Sequence, residues 1–375
     1  MKNQRPTCVE IDLDAIVGNL AAVQRRVSPA RVMAVVKANA YGHGLQSIAE
    51  ATAQAGAEYL GVALAQEGVE LREKRIQTPI LVLGGFFEDE VEAFLQYDLE
   101  ATVYDWPRAV ALSQRAVALG KRAKVHVKVD TGMGRVGVNW REAVGFVREV
   151  QSLRGLELLG IYTHFASSDA GDKSFAQRQL RRFREVVTEL DRQGVTIPLK
   201  HAANSGAVLD LPESYFDMVR VGLLIYGYYP SRETTESVAV SPALRLKSRV
   251  IAVKDVPPGT VVSYNSTYRT GSKTRIATVP IGYGDGYNRL LSNRGEVLIR
   301  GRRHKVVGAV CMDQIMVDVG GDAEVVPGDE VVLLGRQGGE EITIYEICDK
   351  LNTIPYEVTC WISERVPRLY ESKSG

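Results

Sequence analysis

One lysine in this chain is placed where covalent chemistry would need it. Lys37 directly follows the apolar run 32–36 and precedes the small, glycine-containing stretch 38–44. A lysine rarely ends a buried strand, because its ammonium group is costly to desolvate. A desolvated amine is also a nucleophile that forms Schiff bases with carbonyl compounds. A lysine whose charge simply reaches solvent is the other interpretation, and the position of Lys37 alone does not decide between them.

The elements around Lys37 predict the frame that would hold it. Short β-rich runs alternate with amphipathic helical segments through the first part of the chain, and this order predicts a parallel sheet. Eight runs predict strands, at residues 31–37, 59–64, 79–84, 100–104, 124–130, 156–165, 199–203 and 218–226. Eight β/α units predict a closed (β/α)8 barrel of the TIM type. An open doubly wound sheet is the alternative, but no G-x-G-x-x-G motif follows the first strand.

Polar residues cluster where these predicted strands end. Active residues of such barrels lie at the C-terminal ends of the strands, and phosphate sites often follow strands seven and eight. Ser205 and the backbone N–H groups near Gly222 and Leu223 are therefore candidate phosphate donors. The residues at or just after strand ends are Lys37, Arg135, His164, Asn204, Ser205, Arg220, Gly222 and Leu223.

Buried charge is expected on two of the predicted strands. Alternation along 124–130 directs Lys124, His126, Lys128 and Asp130 toward the barrel interior, where polar groups need partners. A charge network with Arg135 and an ordinary structural network both remain open. Arg220 must meet an acceptor, which could be a carboxylate, a ring nitrogen or a ligand anion. For His201 a satisfied core position is favoured over direct catalysis.

The pattern changes after about residue 229. The polar segment 230–237 predicts a linker, and the β-rich runs beyond it predict a mostly antiparallel β domain. We therefore expect two domains, at residues 1–235 and 236–375. The Tyr- and Gly-rich segments 262–268 and 280–287 are by themselves typical of loops, and 311–314 is typical of core filling.

Composition excludes several classes of partner. The 375 residues carry a net charge of +1, and no apolar run reaches the length of a membrane span, so neither nucleic acid nor membrane is expected. The polar N-terminal segment lacks the apolar core of a signal peptide. The four cysteines form no C-x-x-C pair, and the five histidines lack metal-ligand spacing. We expect a cytoplasmic protein without disulfide bonds or a metal site.

A set of long motifs resembles one known family. In chain order they are AVVKANAYGHG, DTGMGRVG, HAANSGA, VRVGLLIYG, VSYNSTY, PIGYGDGY, GAVCMDQIMVDV and YEVTCWISERVPR. Together they resemble bacterial alanine racemases along nearly the whole chain. The resemblance implies a pyridoxal 5′-phosphate enzyme of fold type III, with a (β/α)8 barrel, a C-terminal β domain and a homodimeric assembly. It also implies the interconversion of L-alanine and D-alanine, which supplies D-alanine for peptidoglycan.

The resemblance implies roles for residues that touch the cofactor. Lys37 would hold pyridoxal phosphate covalently and act as one base, while Tyr264 of the partner subunit would be the other, with His164 close by. Arg220 would face the pyridine nitrogen, supported from behind by His201. The phosphate would be bound by Tyr41, Ser205, Tyr356 and the backbone at Gly222 and Leu223.

Further roles concern the substrate. Arg135 would contact the cofactor's phenolic oxygen and the substrate carboxylate, and a carbamylated Lys128 would hold Arg135. Met312 of the partner subunit would contact the carboxylate through its backbone, and Tyr283 would shape the entrance. A carbamate is plausible chemistry at this position, because an ammonium would repel Arg135 whereas the carbamate anion pairs with it.

The implied mechanism explains the residue types and separates the alternatives. Racemisation needs acid–base groups on opposite faces of Cα. Arginine stays charged, so the ring nitrogen it faces stays unprotonated, which suppresses transamination. A decarboxylase of the same barrel type would need an acidic residue where Arg220 stands. A racemase of broader specificity is typically exported, and a non-enzymatic pyridoxal phosphate carrier would lack the second domain.

Overall fold

The computed structural model describes residues 5–321 and 324–372 and divides the chain into two compact units. The barrel unit comprises Ala15–Ala40 and Leu45–Pro242. The second unit comprises Tyr41–Gly44, the chain from Ala243 onward, and the N-terminal residues up to Asp14. The outer ends of the predicted domains 1–235 and 236–375, at residues 1–4 and 373–375, lie outside the described residues. The functional division between those two domains stays a prediction.

Eight parallel strands, labelled β1 to β8, form the barrel. They are Arg31–Val35 (β1), Tyr59–Val62 (β2), Ile80–Val82 (β3), Glu100–Val103 (β4), Ala123–Asp130 (β5), Leu156–Tyr162 (β6), Leu199–His201 (β7) and Met218–Val221 (β8). The two-residue strand Val138–Asn139 pairs with the end of β5. Each barrel strand pairs with the next one along the chain, and β8 pairs with β1. The ring is therefore closed, and the predicted (β/α)8 barrel is confirmed.

One amphipathic helix precedes β1, and the others lie between successive strands. Leu13–Val27 buries Ile16, Leu20, Val23 and Val27 on one face, at the spacing of an α-helix. The later helices are Leu45–Gln54, Ala65–Glu73, Val91–Gln96, Trp106–Ala118, Ala143–Ser152, Ser174–Arg192 and Ser205–Asp210. The barrel interior is filled by Met33, Tyr59, Leu81, Tyr162, Leu199 and Met218. These six side chains form a packed core inside the barrel.

Seven of the eight strands end earlier than the sequence predicts, and only β5 ends at the predicted residue, Asp130. β1 ends at Val35, β6 at Tyr162 and β8 at Val221, so Lys37, His164 and Gly222 follow their strands. The apolar run after β8 forms the 3-10 turn Leu223–Tyr226, whose residues are all buried. Apolar sequence thus marks burial there rather than extended backbone.

A left-handed turn follows Lys37. The φ angles of Ala38, Asn39, Ala40 and Tyr41 are 53°, 54°, 51° and 53°. Left-handed backbone costs roughly 1–2 kcal/mol per L-residue, so tertiary contacts must hold the turn. The Glu67 carboxylate accepts the Ala38 N–H at 2.6 Å, and Asn39 Oδ1 accepts the Leu45 N–H at 2.8 Å. These bonds fix the backbone on either side of the turn and limit the movement of Lys37.

The second unit is built on a mostly antiparallel sheet, as predicted. In sheet order its strands are Ala252–Val256, Thr274–Val279, Ile315–Gly320, Arg302–Val306, Glu296–Ile299, Glu330–Gln337, Leu244–Arg249, Cys8–Asp12 and Arg368–Glu371. Glu340–Ile342 pairs with Glu330–Gln337, and Val261–Val262 pairs with Tyr268–Arg269. Two helices, Ile344–Leu351 and Pro355–Cys360, belong to the same unit.

The strand Cys8–Asp12 was not predicted from the sequence. It pairs antiparallel with Leu244–Arg249 and parallel with Arg368–Glu371, so its partners lie at the other end of the chain. Five residues are too short for a clear periodic pattern when the partners are this remote. No helix in the described part of the chain is long and apolar enough to cross a membrane.

Candidate active site

The C-terminal end of the barrel gathers positive charge. Lys128, at the end of β5, is 4% exposed. Burial, followed by the charges of Arg135, Arg220 and Lys37, lowers the pKa of Lys128 to about 7, although Asp130 opposes the shift. Four basic side chains therefore share one region, which suits a ligand that carries negative charge.

Asp130 shapes the loop that carries Arg135. Its carboxylate accepts the Gly132 N–H at 2.8 Å and the Gly134 N–H at 3.1 Å and 3.2 Å. Gly134 has a φ of 68°, a conformation that glycine adopts without strain. The Asp130 carboxylate thus mainly accepts hydrogen bonds from backbone N–H groups. These bonds define the shape of the loop from which the exposed Arg135 side chain extends.

Arg220 is a buried guanidinium held by neutral acceptors. It is 4% exposed and donates to the Thr163 carbonyl at 2.7 Å, the Ala202 carbonyl at 3.1 Å and His201 Nδ1 at 3.1 Å. A further contact joins it to His164 Nδ1 at 3.3 Å. Burial lowers the pKa of Arg220 to about 10, so it stays charged at neutral pH. Since none of these acceptors is a carboxylate, the charge remains available to a ligand.

Tyr162 lies beneath both cations and was missed by the sequence analysis. Its ring is stacked on His201, with centroids 4.7 Å apart and planes 10° from parallel. Arg220 lies 5.0 Å and Lys128 5.4 Å from the centroid of the Tyr162 ring, within cation–π range. Thr102 contacts its hydroxyl at 2.9 Å. One sequence signal could have identified Tyr162. It is an aromatic residue at the end of β6, in a barrel whose neighbouring strands end near basic residues.

His164 and His201 are both held in the neutral form. Burial, followed by the charge of Arg220, lowers the pKa of each ring well below its usual value. A neutral imidazole has one acceptor nitrogen, and both rings direct Nδ1 at Arg220. These histidines therefore orient the guanidinium without adding charge.

Hydroxyl and backbone donors meet at the ends of β7 and β8. Ser205 is buried, and its Oγ accepts the Gly222 N–H at 3.1 Å. Ser205 begins a helix whose N-cap residue is Asn204, and Asn204 Oδ1 accepts the Ala207 N–H at 3.1 Å. Leu223 begins the next turn, so its N–H has no acceptor inside that turn. A hydroxyl beside such amides suits a phosphate.

The residues present fit a phosphorylated aldehyde cofactor. Lys37 offers an amine for the carbonyl carbon, and the Ser205 region offers donors for a phosphate. Arg220 offers a fixed cation that cannot accept a proton. Within residues 5–321 and 324–372, no group of three or more His, Cys, Asp or Glu side chains is placed to hold a metal ion.

The second unit holds a pair of tyrosines. The rings of Tyr41 and Tyr356 lie 5.8 Å apart between centroids, with planes 43° from parallel. Burial, followed by interactions with Tyr356 and Cys360, raises the pKa of Tyr41 above its usual value. The phenol of Tyr41 therefore stays protonated and keeps its ability to donate a hydrogen bond.

The other candidates of the second unit lie on exposed loops. Tyr264 is 69%, Met312 52% and Tyr283 43% exposed. The backbone around Tyr264 is left-handed at Ser263 and Asn265, with φ of 66° and 60°. Such strain on both sides of an exposed side chain is typical of functional loops.

A buried carboxylate holds the Tyr283 and Met312 loops, and it too was missed. The two loops are joined by the bonds from Tyr283 N–H to the Cys311 carbonyl and from Gly284 N–H to the Met312 carbonyl, at 3.0 Å and 2.9 Å. Asp285, fully buried, accepts bonds from Arg5 at 2.8 Å and Arg365 at 2.7 Å. The motif 280–287 was assigned to a loop, and nothing in it marked Asp285 as its anchor.

Comparison with known proteins follows the two units. Residues 11–230 match the model of the alanine racemase N-terminal domain, and residues 243–370 match that of the alanine racemase C-terminal domain. The chain is 47% identical over 372 residues to an alanine racemase of Halothermothrix orenii, covering 99% of this chain and 98% of that protein.

Solved structures give the same match. An alanine racemase of Clostridium difficile 630 superposes with a TM-score of 0.94 at 39% identity, covering 99% of this chain and 97% of that one. A histidine racemase from Leuconostoc mesenteroides subsp. sake superposes with a TM-score of 0.91 at 28% identity, covering 99% of each chain. The similarity thus extends over both units.

Proposed function

The chain belongs to the alanine racemase family and is a pyridoxal 5′-phosphate-dependent enzyme that interconverts L-alanine and D-alanine, and we propose that Lys37 and Tyr264 are its two acid–base residues. Inverting Cα requires that one group removes its proton and another delivers a proton to the opposite face. Lys37 serves the face on which D-alanine carries its proton. Tyr264 serves the face on which L-alanine carries its proton.

Several residues would hold pyridoxal phosphate in this proposal. When bound, the cofactor would withdraw electrons from the amino acid and make the Cα proton acidic. Lys37 would bind its carbonyl carbon, and His164 would contribute a neutral ring beside it. Its phosphate would accept hydrogen bonds from the hydroxyls and backbone of Tyr41, Ser205, Tyr356, Gly222 and Leu223. The raised pKa of Tyr41 supports its role as a donor.

The observation that carries the proposal is the environment of Arg220. We assign Arg220 to the pyridine nitrogen, with His201 supporting it from behind. Because its protein acceptors in the described residues are carbonyls and imidazoles, the guanidinium keeps its full charge. It cannot accept a proton, so the ring nitrogen opposite it stays unprotonated. This restrains electron withdrawal and favours return of the proton to Cα over transamination.

Arg135 and Lys128 are assigned to the substrate side. Arg135 binds the substrate carboxylate and the cofactor's phenolic oxygen, and a carbamate on Lys128 holds Arg135. Only a neutral amine reacts with carbon dioxide, and a pKa of about 7 keeps much of Lys128 neutral at physiological pH. Native mass spectrometry of the peptide should show an added mass of about 44 Da. A bare amine in a high-resolution map contradicts this assignment.

We propose a homodimer in which the domain of residues 236–375 completes the partner's active site, while residues 1–235 bind the cofactor. Tyr264, Met312 and Tyr283 are exposed in the single chain, and exposed aromatic and apolar side chains favour an interface. The backbone of Met312 contacts the substrate carboxylate and Tyr283 shapes the entrance. A two-fold assembly would use the same surfaces twice and create two equivalent sites.

Complementation between two inactive variants tests this proposal. Lys37→Ala and Tyr264→Phe are purified separately, mixed in equal amounts and allowed to exchange subunits. Random exchange makes half of the dimers mixed, and each mixed dimer has one intact site, so about one quarter of wild-type activity should return. Mixing Lys37→Ala with Lys37→Arg should restore nothing. Failure of the first mixture, despite demonstrated exchange, contradicts a shared site.

We further propose that the enzyme works in the cytoplasm and supplies D-alanine for peptidoglycan. The four cysteines form no disulfide bond within the described residues, which fits a reducing compartment. The preference for alanine is tested with a panel of L-amino acids and a chiral readout. Histidine belongs in that panel, since a structurally similar protein is a histidine racemase. Turnover of histidine or serine that equals turnover of alanine contradicts the preference.

A further inference from the structure

A chain of hydrogen bonds leads from Arg220 into the interior of the barrel. Arg220 contacts His201 Nδ1 at 3.1 Å, and His201 Nε2 contacts His126 Nδ1 at 2.9 Å. His126 Nε2 then contacts Glu100 Oε2 at 2.8 Å. All four side chains are buried. The chain connects a strand-end cation with a carboxylate at the beginning of β4, through two imidazole rings and no solvent.

The direction of every proton in this chain is determined by its two ends. A guanidinium can only donate, so His201 Nδ1 must accept and the neutral ring carries its proton on Nε2. That proton is donated to His126 Nδ1, which leaves the His126 proton on Nε2, facing the carboxylate. An ionised carboxylate can only accept. The arrangement therefore satisfies every link with one tautomer of each ring.

We propose that Glu100 and His126 are positioning residues for racemisation, because the carboxylate fixes the tautomers that let His201 present a lone pair to Arg220. The proposal rests on the assignment of Arg220 to the cofactor's ring nitrogen. If the chain ran the other way, a His201 Nδ1–H would face a guanidinium N–H and the two donors would repel. Arg220 would then lose an acceptor and its fixed orientation.

A glycine on β6 leaves space for the His126 ring. A Cβ atom added to Gly160 on β6 would lie 2.1 Å from His126 Nδ1, the atom that accepts from His201. Glycine therefore permits the His126 ring to occupy this position. Tyr59 contacts the same Glu100 through a side-chain hydrogen bond but lies outside the path to Arg220. Its phenol provides a matched comparison for the experiment.

Glu100→Gln is the decisive variant, since an amide has the same shape and can either donate or accept. The carboxylate then no longer excludes the reverse direction, which is opposed only by the repulsion between a His201 Nδ1–H and Arg220. A carboxylate that sets an imidazole tautomer is worth about 10⁴-fold in a Ser-His-Asp triad, and the greater distance here lowers the expected loss in kcat to about tenfold. KM should change by less than about twofold, since the ligand contacts remain. Tyr59→Phe should keep kcat within about twofold.

Two readouts separate positioning from a purely structural role. Pyruvate released per racemisation should rise about tenfold in Glu100→Gln, because a misplaced Arg220 restrains transamination less. In that reaction the Cα proton passes to a cofactor carbon, water releases pyruvate and the amino group stays on the cofactor. Nitrogen-15 NMR of labelled histidine should show His201 protonated on Nε2 in the wild-type holoenzyme and a tautomer mixture in the variant.

The outcomes are distinct. A wild-type His201 protonated on Nδ1, or an unchanged pyruvate ratio in a folded Glu100→Gln holoenzyme, overturns the inference. Gly160→Ala, which displaces His126 without changing charge, should raise the pyruvate ratio as well, and an unchanged ratio there also counts against it. Failure of the proposed function would appear separately, as full activity in Tyr264→Phe or absence of complementation, whatever the histidine tautomers are.

Discussion

The two units present their proposed functional residues in opposite ways. In the barrel unit Lys128, His201 and Arg220 are buried, and each is held by hydrogen bonds or ring contacts from neighbouring strands. In the second unit Tyr264, Tyr283 and Met312 are exposed, although the loops that carry the last two are joined by backbone bonds. The proposed residues of the barrel unit are therefore already packed in a single chain. The proposed residues of the second unit have organised backbone but exposed side chains, as the proposed homodimer would require.

The largest effect is expected from the barrel half. Lys37→Ala should reduce racemisation by at least about four orders of magnitude, because the proposal assigns to Lys37 both the covalent bond to the cofactor and one of the two acid–base roles. A chiral assay of alanine measures the loss, and the absorption of the bound cofactor should change with it. Lys124→Ala is the control, since Lys124 forms a surface ion pair with Asp98 at 2.8 Å. A Lys37→Ala enzyme with substantial turnover would contradict the assignment.

Tyr264→Phe should show whether an exposed residue of the single chain is catalytic. Loss of an acid–base group costs about 10²–10⁴-fold, so turnover of L-alanine should fall by roughly that factor. Exchange of solvent deuterium into alanine, followed by NMR, shows which face loses its proton partner. Tyr283→Phe is the matched control on a neighbouring loop and should lose far less. Unchanged L-to-D turnover in Tyr264→Phe would mean that the second base lies elsewhere.

Asp285→Asn tests whether the loops of the second unit are organised before association. Removing the charge leaves Arg5 and Arg365 without their buried partner, and we expect a loss of about 2 kcal/mol in unfolding free energy. Asp313→Asn is the control, because Asp313 pairs with the same Arg365 but is largely exposed, and its loss should stay below about 1 kcal/mol. Equal effects in thermal unfolding would refute the anchoring role of Asp285.

The pH dependence of the same site has a definite sign. Burial acts to raise the pKa of Asp285, but hydrogen bonds from Arg5 and Gly282 outweigh it and hold the pKa below the usual value. A carboxyl with a depressed folded-state pKa stabilises the fold above its unfolded pKa, and that contribution is lost as pH falls through the folded one. The free energy of unfolding of the wild-type protein should therefore fall as the pH drops through the depressed pKa of Asp285. The free energy of unfolding of Asp285→Asn should fall less over the same pH range.

Lys128 should give a smaller pH dependence of the same sign in the barrel unit, but over a more alkaline range. Its pKa of about 7 lies below the unfolded value of 10.5, so folding expels a proton between these two pH values. Below pH 7 the folded state bears the full free-energy cost of burying the Lys128 ammonium group. The free energy of unfolding then rises as the pH increases toward 10.5. In buffer free of carbon dioxide, Lys128→Met should exceed the wild type by about 1 kcal/mol at pH 6, with a margin that shrinks at alkaline pH. A constant margin would contradict this expectation.

The sequence predicted the architecture better than the contacts within it. The alternation of β and α segments specified the barrel, and the polar residues at strand ends marked its functional face. Strand ends were placed too late because buried turns such as Leu223–Tyr226 are as apolar as strands. Glu100 was missed because it begins an apolar strand, and its partner His126 lies on the neighbouring strand β5, at a sequence separation that no periodic pattern encodes. Asp285 was missed because its partners Arg5 and Arg365 come from opposite ends of the chain.

The turn after Lys37 has a consequence for chirality. Ala38 through Tyr41 adopt the backbone hand that mirror-image residues prefer, directly beside the lysine that we propose as a base acting on alanine. A D-alanine built in at position 38, where the side chain is exposed, should fit this backbone with less strain than the natural residue. A semisynthetic chain with that one change should melt a few degrees higher, since relief of left-handed strain is worth about 1 kcal/mol. An unchanged or lower melting temperature would show that the turn stores no such strain.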